Sequence, residues 1–202
     1  MAVSLTGVVL AAGRSTRMGC DKALLPAPDG GPMWARQRDV LAGAGAEEIL
    51  LSARPEQPWV AQAKGFAALV VDGFSVGGPI IGVTAALERA AHPHLAVLAI
   101  DLPKLPAAWF AALREDCARG VGAVGRHGDF FEPLAAIYPR ELKWLAWEAL
   151  AKGDYSLQKL VAAGIAAGLL RERKIGPAET PWFENRNGPD AAAAAAELKA
   201  ES

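Results

Sequence analysis

Gly7-Val8-Val9-Leu10-Ala11-Ala12-Gly13-Arg14-Ser15-Thr16-Arg17-Met18-Gly19-Cys20-Asp21-Lys22 is the stretch on which the reading of this chain turns. Its first four residues form a short apolar run of the kind that fills a buried strand. The run then breaks into small and polar residues, with glycines at 13 and 19, arginines at 14 and 17 and a lysine at 22. A loop of this composition leaves backbone N–H groups free to face an anion and brings three cations to the same place. A polyphosphate is the natural ligand for it. The plain alternative is an ordinary glycine-rich connection whose basic residues are solvated.

Neither of the commonest phosphate signatures fits. A P-loop needs lysine directly after its second glycine, whereas Cys20 follows Gly19 and the two glycines lie one residue too far apart. The nearest G-x-G, Gly43-Ala44-Gly45, precedes a strand pattern instead of following one, so it reads as a helix stop.

Outward from the loop, strand and helix patterns alternate. Helical periodicity spans Trp34 to Leu41, and strands are expected at Glu48 to Ser52 and Ala67 to Val71. Pro79 sits at a helix start, followed by helical periodicity from Ile80 to Ala91. Leu95 to Ile100 is too apolar for an edge strand and ends at Asp101. A helix follows from Pro106 to about Ala118, then strands at Val121 to Gly125 and Pro133 to Tyr138. Helices near Glu141–Leu150 and Ser156–Ala163 come next, and an alanine-rich helix, Ala191 to Lys199, closes the chain. Such alternation implies parallel βαβ units covered on both faces, with ligands beyond the carboxyl ends of the strands. The Gly13–Lys22 loop and Asp101 both sit at such ends and should face one crevice.

Composition excludes several classes. The 202 residues suffice for one domain with a sizeable core, and 52% hydrophobic with 21% charged content is that of a globular protein. A net charge of -1 gives no footprint for nucleic-acid binding. Two cysteines and three histidines make neither a disulfide framework nor a zinc spacing, and His92-Pro93-His94 is too short and isolated to bind metal. No apolar stretch is long enough to cross a membrane, and no basic n-region with a long apolar core marks a signal peptide. A cytoplasmic location is the simplest expectation. Trp109, Trp144 and Trp147 fall within expected helices, where core or interface packing is their expected use.

The loop resembles the L-A-[GA]-G-x-S-x-R-M-G-x-D-K signature of the MobA-like nucleotidyltransferases, with Leu10, Ala11, Gly13, Ser15, Arg17, Met18, Gly19, Asp21, Lys22 and Leu25 in register. That resemblance implies a three-layer α/β/α sandwich around a mostly parallel, Rossmann-like sheet of the nucleotide-diphospho-sugar transferase type. It also implies that Leu10, Ala11, Ala12, Gly13, Ser15 and Gly19 wrap a nucleoside triphosphate while Lys22 and Arg17 meet its phosphates. Asp101-Leu102-Pro103 is similar to the family's metal-site motif. Taken alone, Asp101 could merely cap the next helix. Nucleotidyl transfer, however, calls for a Mg²⁺ held by one or two carboxylates and phosphate oxygens, and Asp101 is the best candidate ligand.

By the same resemblance, Asp72 stands where the family has an acidic residue on the nucleotide, ahead of a Gly78-Pro79-Ile80-Ile81-Gly82 that looks like its G-P-L-x-G. Asn185-Arg186-Asn187-Gly188-Pro189-Asp190 is similar to its N-x-N-T-P-E-D, which implies Asn187 beside the metal. Glu132-Pro133-Leu134 resembles the E-P-L that opens the acceptor side. The implied division is a nucleotide-binding first half and an acceptor-binding second half. The implied reaction attacks the α-phosphorus of GTP or CTP with a phosphorylated acceptor, molybdopterin by default, releasing pyrophosphate. An already ionised phosphate acceptor asks for no general base.

Base choice divides the signals. Ala12 replaces the second glycine of the guanylyl branch, and Leu51-Ser52-Ala53-Arg54 lacks that branch's asparagine. The D-K-A-L-L run and the N-x-N-x-P-D ending look more like the guanylyl branch. A rival reading comes from Gly73-Phe74-Ser75-Val76-Gly77, a literal G-x-S-x-G, with Asp101 and His127 following in hydrolase order. An elbow requires a helix opening at the serine, whereas Gly77-Gly78-Pro79 postpones it, and this reading leaves the Leu10–Lys22 loop unexplained. A non-catalytic nucleotide binder on the same fold is a third possibility, against which Lys22 and Asp101 both speak.

Overall fold

A computed structural model describes residues 2–13, 20–71 and 78–185. The expected closing helix at 191–199 lies outside these residues, as do Arg17, Ser15, Gly19, Asp72, Ser75 and Asn187.

Eight strands form one sheet: β1 (Leu5–Leu10), β2 (Ala46–Ser52), β3 (Ala68–Val70), β4 (His94–Ala99), β5 (Gly122–His127), β6 (Phe130–Phe131), β7 (Ala135–Pro139) and β8 (Leu170–Lys174). Their order is β3-β2-β1-β4-β7-β5-β6, with β8 pairing β5. The ladders β3-β2-β1-β4 and β5-β8 are parallel. Among the described residues, five α-helices cover the sheet: α1 (Met33–Gly43), α2 (Pro79–Arg89), α3 (Ala107–Asp116), α4 (Lys143–Ala151) and α5 (Leu157–Ala166).

Alternation along the strands builds two cores. Ala96 and Leu98 of β4 join Val40 and Leu41 of α1 and Phe110 and Leu113 of α3 on one face. Leu95 and Val97 join Ile80, Val83 and Leu87 of α2, Ala146 of α4 and Leu160 of α5 on the other. Six consecutive buried residues in β4 follow from being covered on both sides. The three-layer arrangement is the one the sequence predicts, and the sheet is parallel across β3-β2-β1-β4.

The second half departs from parallel pairing. β7 runs antiparallel to both β4 and β5, and β6 antiparallel to β5. Parallel neighbours need a crossover of a dozen residues or more, and the segment between β5 and β7 is too short for one. It turns back through Gly128, whose φ of +59° suits glycine. Strand β8 was not expected from its Leu-Arg-Glu-Arg-Lys sequence, because its exposed charges hide the alternation of a half-buried strand. Gly43-Ala44-Gly45 is a helix stop as expected: Gly45 takes φ +82° and donates to the Ala42 carbonyl. Of the three tryptophans, Trp109 is buried in the core, whereas Trp144 is exposed on α4 and Trp147 partly so.

Candidate functional site

The carboxyl ends of β1 and β4 lie side by side, Leu10 opposite Ala99, and the Leu10 carbonyl accepts a bond from Ile100 N at 3.1 Å. The two chain segments that leave these ends therefore start together. One carries Ala11, Ala12 and Gly13, and the other carries Asp101. Lys22 closes the gap: its Nζ stands 3.2 Å from Asp101 Oδ2. Both side chains are partly shielded, at 19% and 24% exposure, yet both reach solvent.

Lys22 is held there by its neighbours. It opens a short 3₁₀ turn, Lys22–Leu24, whose N-cap is Asp21, with Oδ1 accepting from Ala23 N at 3.1 Å. Asp21 Oδ2 accepts from Trp59 Nε1 at 2.8 Å and from Gln57 Nε2. Gln57 is itself buried, donates to the Ala11 carbonyl and accepts from Arg54 N at 2.7 Å. Arg54 Nη1 donates to the Ala12 carbonyl. Thus residues 54–59, beyond β2, anchor both described ends of the loop. Asp21 serves as its anchor and not as a group facing the crevice.

Among the loop residues, Ala11 is buried, Leu10 and Ala12 are half-buried, and Gly13 is exposed. A Cβ placed on Gly13 would meet no described atom within 4 Å, so this residue fronts open space. Gly78 takes φ +68° ahead of Pro79, the first residue of α2. The helix thus opens at Pro79 and not at Ser75, contrary to what a nucleophile elbow demands. Gly82 has a packing role: a Cβ there would come within 2.8 Å of Ser52 Oγ and 3.2 Å of Leu10 Cδ2.

The Glu132 segment joins the same edge. Leu134 accepts from Ala99 N at 2.9 Å, which sets Glu132-Pro133-Leu134 beside the Asp101 turn. Burial pushes the Glu132 carboxyl above its ordinary range, and the nearby His127 partly offsets this. Lys104 Nζ meets Glu184 Oε2 at 2.5 Å, and Phe183 packs edge-on against Trp109 with ring centres 4.9 Å apart. The chain therefore enters Asn185 alongside the Asp101–Leu105 segment. Asn187 itself lies outside the described residues, as do Arg17, Ser15, Gly19 and Asp72.

Sequence reasoning missed Arg54, Gln57 and Trp59, which hold the loop, and Arg36 and Gln37 on α1. Gln37 was findable in principle, since it occupies a core-facing position three residues after Trp34 and four before Leu41. His94 is buried in β4, with Nε2 facing the Ala118 and Val121 carbonyls at 2.9 and 3.2 Å. No group of three or more His, Cys, Asp or Glu suited to a metal occurs among the described residues. Nor is any helix among them long and apolar enough to cross a membrane.

A family model described as the MobA-like NTP transferase domain matches residues 7–170. A protein of Opitutus terrae named probable molybdenum cofactor guanylyltransferase is 44% identical over 197 residues, covering 94% of this chain and 93% of its own. The structure resembles the molybdopterin-guanine dinucleotide biosynthesis protein A of Archaeoglobus fulgidus, with a TM-score of 0.71 at 20% identity, covering 98% of this chain and 100% of that one. It also resembles a Mycobacterium tuberculosis H37Rv protein solved in complex with manganese, with a TM-score of 0.62 at 24% identity, covering 87% and 89% of the two chains.

Proposed function

This chain belongs to the MobA-like NTP transferase family and is a nucleotidyltransferase, and from that premise we propose that it is a molybdenum cofactor guanylyltransferase. In this reading it joins GMP from GTP to the terminal phosphate of molybdopterin cofactor. The observation that carries the reading is the Lys22–Asp101 pair. It joins the triphosphate loop to the candidate metal carboxylate at the edge where ligands of such sheets bind.

Asp101 suits Mg²⁺ in its chemistry: a single hard oxygen donor reaching solvent, to be completed by phosphate oxygens and waters. Asn187 is the second proposed contact. Bound there, Mg²⁺ would neutralise phosphate charge and orient the triphosphate. Lys22 exchanges Asp101 for phosphate oxygens, and Arg17 adds a second cation. The backbone N–H groups from Ala12 to Gly19 cradle the triphosphate, and Asp72 contacts the nucleoside. An acceptor phosphate oxygen bonds to the α-phosphorus as the bond from that phosphorus to the bridging oxygen breaks, and pyrophosphate leaves with the electron pair. Positioning and charge neutralisation supply the rate, and no general base is required. The first half of the chain serves the nucleotide and the second half the acceptor, in the cytoplasm.

GTP is favoured by the relative that is 44% identical. CTP is the second reading, favoured by Ala12 in place of glycine and by Ala53-Arg54 without a preceding asparagine. Thermal melting with GTP, CTP, ATP and UTP, each with and without Mg²⁺, separates them. A ligand at 100 times its Kd stabilises by about 2.7 kcal/mol, a readily measured shift. A Mg²⁺-dependent shift with GTP alone is the expected result. A shift with CTP alone moves the assignment to the cytidylyl branch, and no shift with any of the four overturns it.

A further inference from the structure

Asp101 sits on a turn whose backbone is gripped from one side. Gln37, on α1 and fully buried, donates through Nε2 to the Ala99 carbonyl at 2.9 Å and the Leu102 carbonyl at 3.0 Å. Next to it, Arg36 donates through Nε to the Pro103 carbonyl at 2.5 Å and through Nη2 to the Leu105 carbonyl at 3.3 Å. Two adjacent side chains thus take four carbonyls between residues 99 and 105, and Gln37 brackets Asp101 itself.

Gln37 is an odd residue for its place. Its Oε1 is buried with no hydrogen-bond partner among the described residues, a situation that costs stability compared with an apolar side chain of the same shape. The amide is satisfied only through the two bonds it gives the Asp101 turn. The helix that carries it is tied to the Lys22 turn as well, since Met33 N donates to the Leu25 carbonyl at 3.0 Å. α1 therefore fixes the two halves of the Lys22–Asp101 pair against one rigid element.

We propose that Gln37, supported by Arg36, is a positioning residue that sets the Asp101 carboxylate for a divalent cation. This rests on the reading of Asp101 as the metal-holding group. Gln37 touches neither substrate nor metal. It acts by fixing the backbone from which Asp101 projects, as outer partners of metal ligands do.

The test uses the whole protein, a non-hydrolysable GTP analogue and Mn²⁺ as a paramagnetic probe, with free Mn²⁺ followed by electron paramagnetic resonance. Gln37→Leu is expected to weaken Mn²⁺ binding about 10- to 100-fold while leaving metal-free binding of the GTP analogue unchanged. Should Gln37→Leu fail to fold, Gln37→Met and Arg36→Leu carry the same readout. A folded variant set that binds Mn²⁺ as the unaltered protein does, even with a lowered melting temperature, makes Gln37 a structural residue only and overturns the proposal. If the unaltered protein binds no Mn²⁺ with the analogue, or Asp101→Asn binds it equally well, the Asp101 reading itself has failed. The proposal falls with it, and the unaltered protein and Asp101→Asn tell that failure apart from the first.

Discussion

Lys22 Nζ and Asp101 Oδ2, 79 residues apart in the chain, stand 3.2 Å from each other where β1 and β4 end. Each is a counter-charge of the other, and under the proposed function both exchange partners when a metal-bound triphosphate arrives. The pair is partly solvated, so its contribution to stability is about 0–1 kcal/mol. Lys22→Ala and Asp101→Asn should each lower turnover by about 10²- to 10³-fold, the usual loss for one electrostatic group in a transition state. Their melting temperatures should barely move. Pyrophosphate release alongside a melting curve checks both halves of this expectation.

The anchor at Asp21 predicts a different pattern. Asp21→Ala leaves Trp59 Nε1 without its acceptor and leaves Gln57 Nε2 only the Ala11 carbonyl, and such losses cost about 1–3 kcal/mol. Stability and nucleotide affinity should fall together, because the described ends of the loop share these partners. Trp59→Phe removes one donor and should do less of both. Urea unfolding paired with a GTP titration distinguishes this anchor from Lys22, whose loss spares stability.

Gly82→Ala should destabilise the fold by about 1–3 kcal/mol through overpacking, since the new methyl meets Ser52 Oγ at 2.8 Å. Adding Ser52→Ala removes the nearest obstacle, although Leu10 Cδ2 remains at 3.2 Å. A double-mutant cycle read by urea unfolding should show the two changes together costing less than their sum.

Burial pushes the Cys117 thiol up to about 12, with Asp116 adding to the effect. At pH 8 the thiolate fraction is then on the order of 10⁻⁴, so iodoacetamide should label Cys117 only after unfolding. The linkage has a definite sign. An acid whose folded pKa is raised keeps its proton in the folded state while the unfolded state loses it above about 9, so stability falls as pH rises from there toward 12. Cys117→Ala should flatten that alkaline decline in a series of urea titrations.

The first half of the fold, with its parallel strands, was legible in the sequence because its signals are local. An apolar run, a glycine break and a buried strand ending in aspartate locate Leu10, Lys22 and Asp101 without knowledge of tertiary contacts. The antiparallel placement of β7 was not legible, since strand direction depends on the length of the connection and a Gly128 turn looks like any polar loop. β8 escaped because a strand with Arg171, Glu172, Arg173 and Lys174 carries no apolar alternation. Arg54, Gln57 and Trp59 escaped for another reason: each acts across sequence distance on a backbone carbonyl or on Asp21, and no short pattern encodes such a bond.

Five side chains that hold the Lys22 and Asp101 turns lie within the segment from Ala11 to Leu105. Gln57 and Arg54 grip Ala11 and Ala12, Trp59 grips Asp21, and Gln37 and Arg36 grip residues 99 to 105. The antiparallel strand β7 and the Leu134 that precedes it join this assembly through main-chain bonds to β4, such as Leu134 accepting from Ala99, and these survive changes of side chain. Inheritance can therefore treat the two halves unequally. If the proposed division of labour holds, substitutions in the second half can retarget the enzyme without loosening the tethers of the first.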